Sequence, residues 1–159
     1  MNKKGFILIA AIALLVLWIL YKVNTAQRLI FDLGVPQQIS IQSGALTFIL
    51  PVRITNNSSG SIRIKSADFD VLSSGKVIGR ALVTQAITTA PKAVTVMPVS
   101  VTIGLLDTIS AASTIWASLQ AGKVNLTLDG LVYAELFQFP VKQSFDLQSD
   151  LLKNFTKIF

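Results

Sequence analysis

Cysteine and histidine are both absent from this 159-residue chain. Without them the usual zinc sites cannot be built, and neither a Cys–His nor a Ser–His nucleophile can be assembled. A disulfide framework and thiol chemistry are excluded as well, although a cysteine-free chain fits any redox compartment. Charge is sparse: 14% of residues are charged, with 14 basic against 8 acidic side chains. Glycines occur in "SSG" and "GKVIG", but neither stretch forms a phosphate loop leading into a helix. One pair of carboxylates remains. Asp68 and Asp70 share a strand face about 7 Å apart, where they could hold a hard cation or simply form a solvated face. Ser73, Ser74 and Lys76 read as a polar hairpin turn rather than a Ser–Lys pair. Four Asn-x-Ser/Thr sequons, at Asn56, Asn57, Asn125 and Asn154, read as chance in a Ser/Thr-rich chain. The parts of an enzyme are missing, and no cofactor or metal is implied.

What the chain does have is an apolar run at its start. Phe6 to Tyr21 holds sixteen residues without a charge or a strong polar group. As a helix that run is roughly 24 Å long, and Gly5 with a snorkelling Lys22 extends it toward the ~30 Å of a hydrocarbon core. Trp18 and Tyr21 at one end suit the headgroup level, and Lys3 and Lys4 mark the other. A cleaved export signal would have a shorter core and a small-x-small site. Here "YKVNTAQ" puts Asn24 three residues before a cut after Ala26, which is a poor site. A helix apolar on every face also argues against a buried soluble helix. Residues 1–28 are therefore predicted to be a retained transmembrane signal-anchor, with the lipid bilayer as partner. Lys3 and Lys4 place the N-terminus inside and the remainder outside, a bias that Lys22 and Arg28 weaken.

Lys3, Lys4, Lys22 and Arg28 flank that run, and all eight acids lie beyond it, so the rest has ten basic against eight acidic residues. The sequence pI of 9.8 is thus largely a property of the anchor. The other basics are scattered and not interleaved with aromatics, so nucleic acid is not an expected partner.

Residues 29–148 are long enough for one domain with a real core. In "ALTFILPVRIT" the even positions Leu46, Phe48, Leu50, Val52 and Ile54 are apolar, which predicts a strand buried on one face. Ile62 and Ile64 share one parity, whereas Ala67, Phe69 and Val71 hold the other. One extra residue near Lys65–Ser66, a β-bulge, would restore all five to one face. "KVIGRALV", "AVTVMPVSVTIG", "KVNLTLDGLVYAE" and "LFQFPVKQSFDL" are further strands, with Pro98 marking an edge or a bend. The last carries Phe137, Phe139, Val141, Phe145 and Leu147 on odd positions, and Phe48 and Phe139 are predicted to be buried. "DTISAASTIWASLQAG" reads as one inserted helix, capped by Asp107 and ended by Gly122. The expected architecture is all-β: an antiparallel fibronectin/immunoglobulin-like sandwich with one inserted helix. The anchor precedes it, and a short C-terminal amphipathic segment follows.

Four passages carry a resemblance: "VRITNNSSGSIRI", "DFDVLSSGKVIGRA", "TTAPKAVTVMPVSVTIGLLD" and "LDGLVYAELFQFPV". Together they make the stretch from about Leu33 to Leu147 similar to the late embryogenesis abundant, group 2 domain, also called the water-stress and hypersensitive-response domain. The family's Asn-Pro-Asn stands here as Asn56-Asn57-Ser58. The resemblance implies a seven-stranded fibronectin-like sandwich, often tethered to a membrane by one N-terminal helix, without catalytic residues.

The tail 149–159, "SDLLKNFTKIF", places Leu151, Leu152, Phe155, Ile158 and Phe159 on one helical stripe. Leu152, Phe155, Ile158 and Phe159 are the candidate partner-docking residues, with self-packing and the membrane interface as alternatives. The leading functional expectation is a single-pass, non-enzymatic structural or interaction protein, displaying its sandwich to protein partners or shell proteins. A membrane-containing assembly such as a lipid-bearing virion is one setting for it. The alternative is a binder of lipid or another apolar ligand, a stress-protective protein of the late embryogenesis abundant group 2 type.

Overall fold

The computed structural model describes residues 3–83, 85–104, 113, 123–135 and 137–148. One helix precedes nine strands: α1 (Lys3–Gln27), β1 (Leu29–Leu33), β2 (Gln37–Gln42), β3 (Ala45–Asn56), β4 (Ile62–Ser73), β5 (Lys76–Val83), β6 (Ile87–Thr89), β7 (Val94–Gly104), β8 (Lys123–Ala134) and β9 (Phe137–Gln148). All pairings are antiparallel, in the order β1-β3-β7-β5-β4-β8-β9. β1 and β2 share one edge of β3: β1 pairs with Val52–Asn56 and β2 with Ala45–Ile49, the chain breaking step at Gly34–Pro36. β6 lies in the same way beside β5 on the edge of β4.

Expected as two separate sheets, the strands form one continuous antiparallel sheet, nearly closed like a barrel. The reason is β5, which bonds β4 along one edge and Gly79–Leu82 to β7 along the other. Closure stops between β1 and β9, whose free edges face each other.

The strand faces follow the parity of the sequence. Leu46, Phe48, Leu50, Val52 and Ile54 are all buried, and so are Ile62, Ile64, Ala67, Phe69 and Val71. The register of β4 against β8 slips between Ile64 and Ser66, so Lys65 is the extra residue of a bulge. Burying each large aliphatic side chain of this core contributes roughly 1.5–3 kcal/mol. Pro51 and Pro98 lie directly opposite each other in β3 and β7. Both missing N–H groups face outward: Pro98 beyond the reach of β5, Pro51 in the gap between β1 and β2, where its carbonyl accepts from Gly34 N at 2.8 Å.

β9 departs from expectation. Its odd positions face inward, but Phe139, Val141 and Phe145 are only partly buried, and Leu147 alone among the five is fully buried. Phe48 is buried as expected, whereas Phe139 is not. Among the described residues, no strand covers the far side of this edge strand. The helix expected over 107–122 lies outside the described residues apart from Ser113, and the tail 149–159 lies outside them entirely.

α1 is 25 residues long, and its side chains are described from Ala11 onward. From Ala11 to Tyr21 every side chain is exposed except the half-buried Ile19. These eleven residues measure only about 16 Å along the helix. Among the described residues no helix is long and apolar enough to cross a membrane, so a transmembrane span is not part of what the fold displays.

Candidate functional site

Two features meet where α1 enters the sheet. The first is the seam. β1 and β9 do not hydrogen-bond as strands; side chains bridge the gap instead. The rings of Phe31 and Phe139 lie 5.7 Å apart at 45°, and Phe48 meets Phe145 edge-on at 6.4 Å. Gln143 Nε2 donates to the free carbonyl of Phe31 at 2.6 Å. Between the two strands runs a groove of about 620 Å³, walled by Leu29, Ile30 and Phe31 from β1 and by Phe137, Phe139 and Val141 from β9. Val23 and Ala26 of α1 form its end. The volume lies within the ~300–1,000 Å³ of small-molecule sites, and the lining is mostly apolar with a few polar groups at the rim.

The second feature is the root of the helix. Lys22 Nζ pairs with Glu135 at 3.0 Å and donates to the carbonyl of Ser61 at 3.1 Å. Glu135 also accepts from the Arg63 N–H at 3.2 Å, and its own N–H donates to the Arg63 carbonyl at 3.0 Å. Lys22 was expected to snorkel toward headgroups. In the fold its ammonium is the bolt that holds α1 to the β8–β9 turn and the start of β4. Thr25, fully buried, donates to the carbonyl of Tyr21 at 3.0 Å, and Arg28 N closes the last turn onto Thr25 O at 3.2 Å. Tyr21 and Thr25 rest against Gly60, where an added Cβ would stand 2.6 Å from the tyrosine hydroxyl.

Gly60 belongs to the turn that follows β3, and Asn56 organises that turn. Its Oδ1 accepts from Ser58 N at 3.0 Å and Ser58 Oγ at 2.7 Å, while its Nδ2 donates to Gly60 O at 2.7 Å and Ala90 O at 3.0 Å. Lys92 Nζ donates to Asn57 O at 2.5 Å, which ties in the β6–β7 connection. With no solvent exposure, Asn56 is a structural residue and not an accessible sequon.

Of the other candidates, Trp18 and Tyr21 are exposed on α1. The side chains of Lys3, Lys4 and Phe6 are outside the described set, as are Leu152, Phe155, Ile158 and Phe159. Asp68 and Asp70 do share a face, and both turn to Arg80, at 3.4 and 4.0 Å. No group of three potential metal ligands exists among the described residues. Sequence reasoning missed the groove. Its one available signal was an aromatic-rich parity in a strand that the order of elements leaves last.

No curated protein matches the chain by sequence. Among solved structures it is similar to a putative late embryogenesis abundant protein studied in solution, at 12% identity and a TM-score of 0.50, covering 92% of this chain and 85% of that one. A structural-genomics target, SoR45, gives 14% identity, a TM-score of 0.50, and coverage of 79% and 89%. A protein from Arabidopsis thaliana gives 19% identity, a TM-score of 0.49, and coverage of 75% and 77%. At such low identity the two structures with a TM-score of 0.50 speak for the fold alone. The sequence pattern of the family described as Late embryogenesis abundant protein, LEA_2, matches residues 51–149, which run from the middle of β3 through β9. This chain belongs to the LEA_2 family of late embryogenesis abundant proteins, a family that is generally non-enzymatic.

Proposed function

We propose that this protein is a non-enzymatic binder of apolar ligands of the late embryogenesis abundant group 2 type, held at a bilayer by α1, which takes the acyl chain of a lipid into the β1–β9 seam. The observation that carries this reading is the groove itself: about 620 Å³ of mostly apolar lining that opens at the foot of an apolar helix. From Ala11 to Leu20 that helix carries only apolar side chains, all exposed to water but the half-buried Ile19. Bilayer hydrocarbon would relieve the exposure at about 25 cal/mol per Å² of apolar surface removed from water. An acyl chain would reach the groove from the same side without crossing water.

The test is photo-crosslinking of the full chain in vesicles that contain a phospholipid with a diazirine on its acyl chain. Crosslinks are expected on β9 between Phe137 and Gln143 as well as on α1. Val141→Trp, which fills the groove, is expected to remove the β9 crosslinks and keep those on α1. Crosslinks confined to α1 in the unsubstituted protein would leave a bilayer anchor and refute the groove reading. Display of the sandwich to protein partners, in a virion membrane or elsewhere, draws part of its support from the tail 149–159, which lies outside the described residues.

A further inference from the structure

The described charges are not spread evenly along the barrel. Within about four strand positions of the end that carries α1 lie Lys22, Arg28, Arg53, Arg63, Lys65 and Lys92, against the acids Asp32 and Glu135. Toward the other end, Lys76, Arg80, Lys123 and Lys142 face Asp68, Asp70, Asp129 and Asp146, four against four. The whole excess of positive charge in the described strands and turns therefore sits at the helix end. Ion pairing sharpens the contrast. Arg80 pairs with Asp68 and Asp70, Lys142 with Asp129, and Lys22 neutralises Glu135. Arg28, Arg53, Arg63, Lys65 and Lys92 are all exposed, and none is in an ion pair with another described residue.

Three of these five stand on backbone segments joined around the root of α1. Arg28 follows the last turn of the helix, and its carbonyl accepts from Asn57 N at 3.4 Å. Lys92 N donates to Ser58 O at 3.2 Å. The backbone of Arg63 is clamped on both sides by Glu135, which holds Lys22. The three cations thus ring the point where an exposed apolar helix leaves the sheet, and the ring is fixed to the helix by the Lys22–Glu135 pair.

We infer that this ring is a docking collar for anionic lipid headgroups, which seats the barrel end-on against the bilayer and presents the mouth of the seam to it. The inference rests on the bilayer reading of α1. Its own content is the lipid class: an apolar helix alone is indifferent to headgroup charge, whereas a cationic ring at its root is not. Each basic residue near an anionic surface contributes roughly a five-fold preference, and salt screens it.

Because the chain has no cysteine, Ser59→Cys offers a unique labelling position, exposed in the turn between Lys92 and the helix root. The full chain with this substitution and Trp116→Phe would be labelled at residue 59 and reconstituted into vesicles of phosphatidylcholine alone or mixed with phosphatidylglycerol. Quenching of the label by a headgroup-level quencher is expected in the mixed vesicles and not in phosphatidylcholine. It is expected to be reversed near 0.5 M salt, where the screening length falls to about 4 Å. Arg28→Gln, Arg63→Gln and Lys92→Gln together, all at exposed positions, are expected to lower the docked-to-undocked ratio by at least about ten-fold. Equal quenching in both vesicles, or no response to the triple substitution, overturns the collar. In the same samples Trp18 reports the helix through brominated acyl chains. If Trp18 is quenched while residue 59 ignores lipid charge, the bilayer reading stands and the collar falls. If Trp18 is not quenched, the bilayer reading fails and takes the collar with it.

Discussion

Asn56 shows how much can hang on one side chain. Its amide makes four hydrogen bonds at a site without solvent, holding the turn 57–60 and the β6–β7 connection together. Asn56→Ala would leave the buried Ser58 N–H without its acceptor and take one of two donors from the carbonyls of Gly60 and Ala90, and each buried group left unpaired costs roughly 1–3 kcal/mol. Chemical denaturation is expected to show a loss of about 3 kcal/mol with the slope unchanged. Gly130 is a second such position. A Cβ there would lie 2.6 Å from the Cα of Phe69 and closer still to the carbonyl oxygen of Asp68, so β8 could not keep its distance from β4. Gly130→Ala is expected to destabilise by at least about 2 kcal/mol, read as a lower melting temperature. Ser at Gly75, where nothing lies within 4 Å but φ is +77°, is expected to cost less, because only the backbone conformation resists it. The sequence marked Asn56 as part of a signature turn. It gave no sign that Gly130 is a contact point, because a glycine's missing side chain has meaning only against its neighbour.

At the scale of elements, β3 and β9 make an instructive pair. Both are twelve-residue strands of alternating character with aromatics on the inner face. β3 is flanked on both sides, by β7 and by β1 with β2, and Phe48 is 2% exposed. Among the described strands β9 has one neighbour, β8, and Phe139 stays half-buried in the seam. Phe48→Ala is expected to cost about 3–5 kcal/mol, and Phe139→Ala clearly less, since less surface is returned to water. Differential scanning calorimetry of the two variants decides this. Equal costs would mean that the seam is as tightly packed as the core. The bulge at Lys65 was legible because a change of parity leaves a trace in the sequence. The half-burial of β9 leaves none, because the alternation of an edge strand looks the same whether or not a neighbour covers it.

At the scale of the whole molecule, the described residues form a nearly closed barrel with a helix bolted to one end. Among its described side chains, Tyr21, Lys22, Val23, Thr25 and Ala26 meet the sheet end, and α1 adds no large side chain to the described core. Removal of residues 1–27 is therefore expected to leave the strand structure intact, with a modest fall in melting temperature and with vesicle binding lost. Circular dichroism and flotation measure the two effects. Unfolding on removal would instead make α1 part of the core. Lys22→Ala is expected to keep vesicle binding while widening the helix-to-domain distance distribution between two spin labels, because the bolt is released and the apolar surface is not.

By itself, the sequence determined the strand faces, the bulge, the family and the absence of cysteine and histidine. Each of these depends on local alternation or on which residue types are present. It also determined that the first helix is apolar all round. Tertiary structure decided what no local pattern encodes. It decided that β5 joins the two halves into one sheet, that β1 and β9 stop short of pairing and leave a groove, and that Lys22 meets Glu135 across 113 positions of chain. It also gathered scattered basic residues at one end. Such arrangements depend on which edges are left over once the strands have found their partners, and a strand's own residues specify its inner face far more strongly than its neighbour.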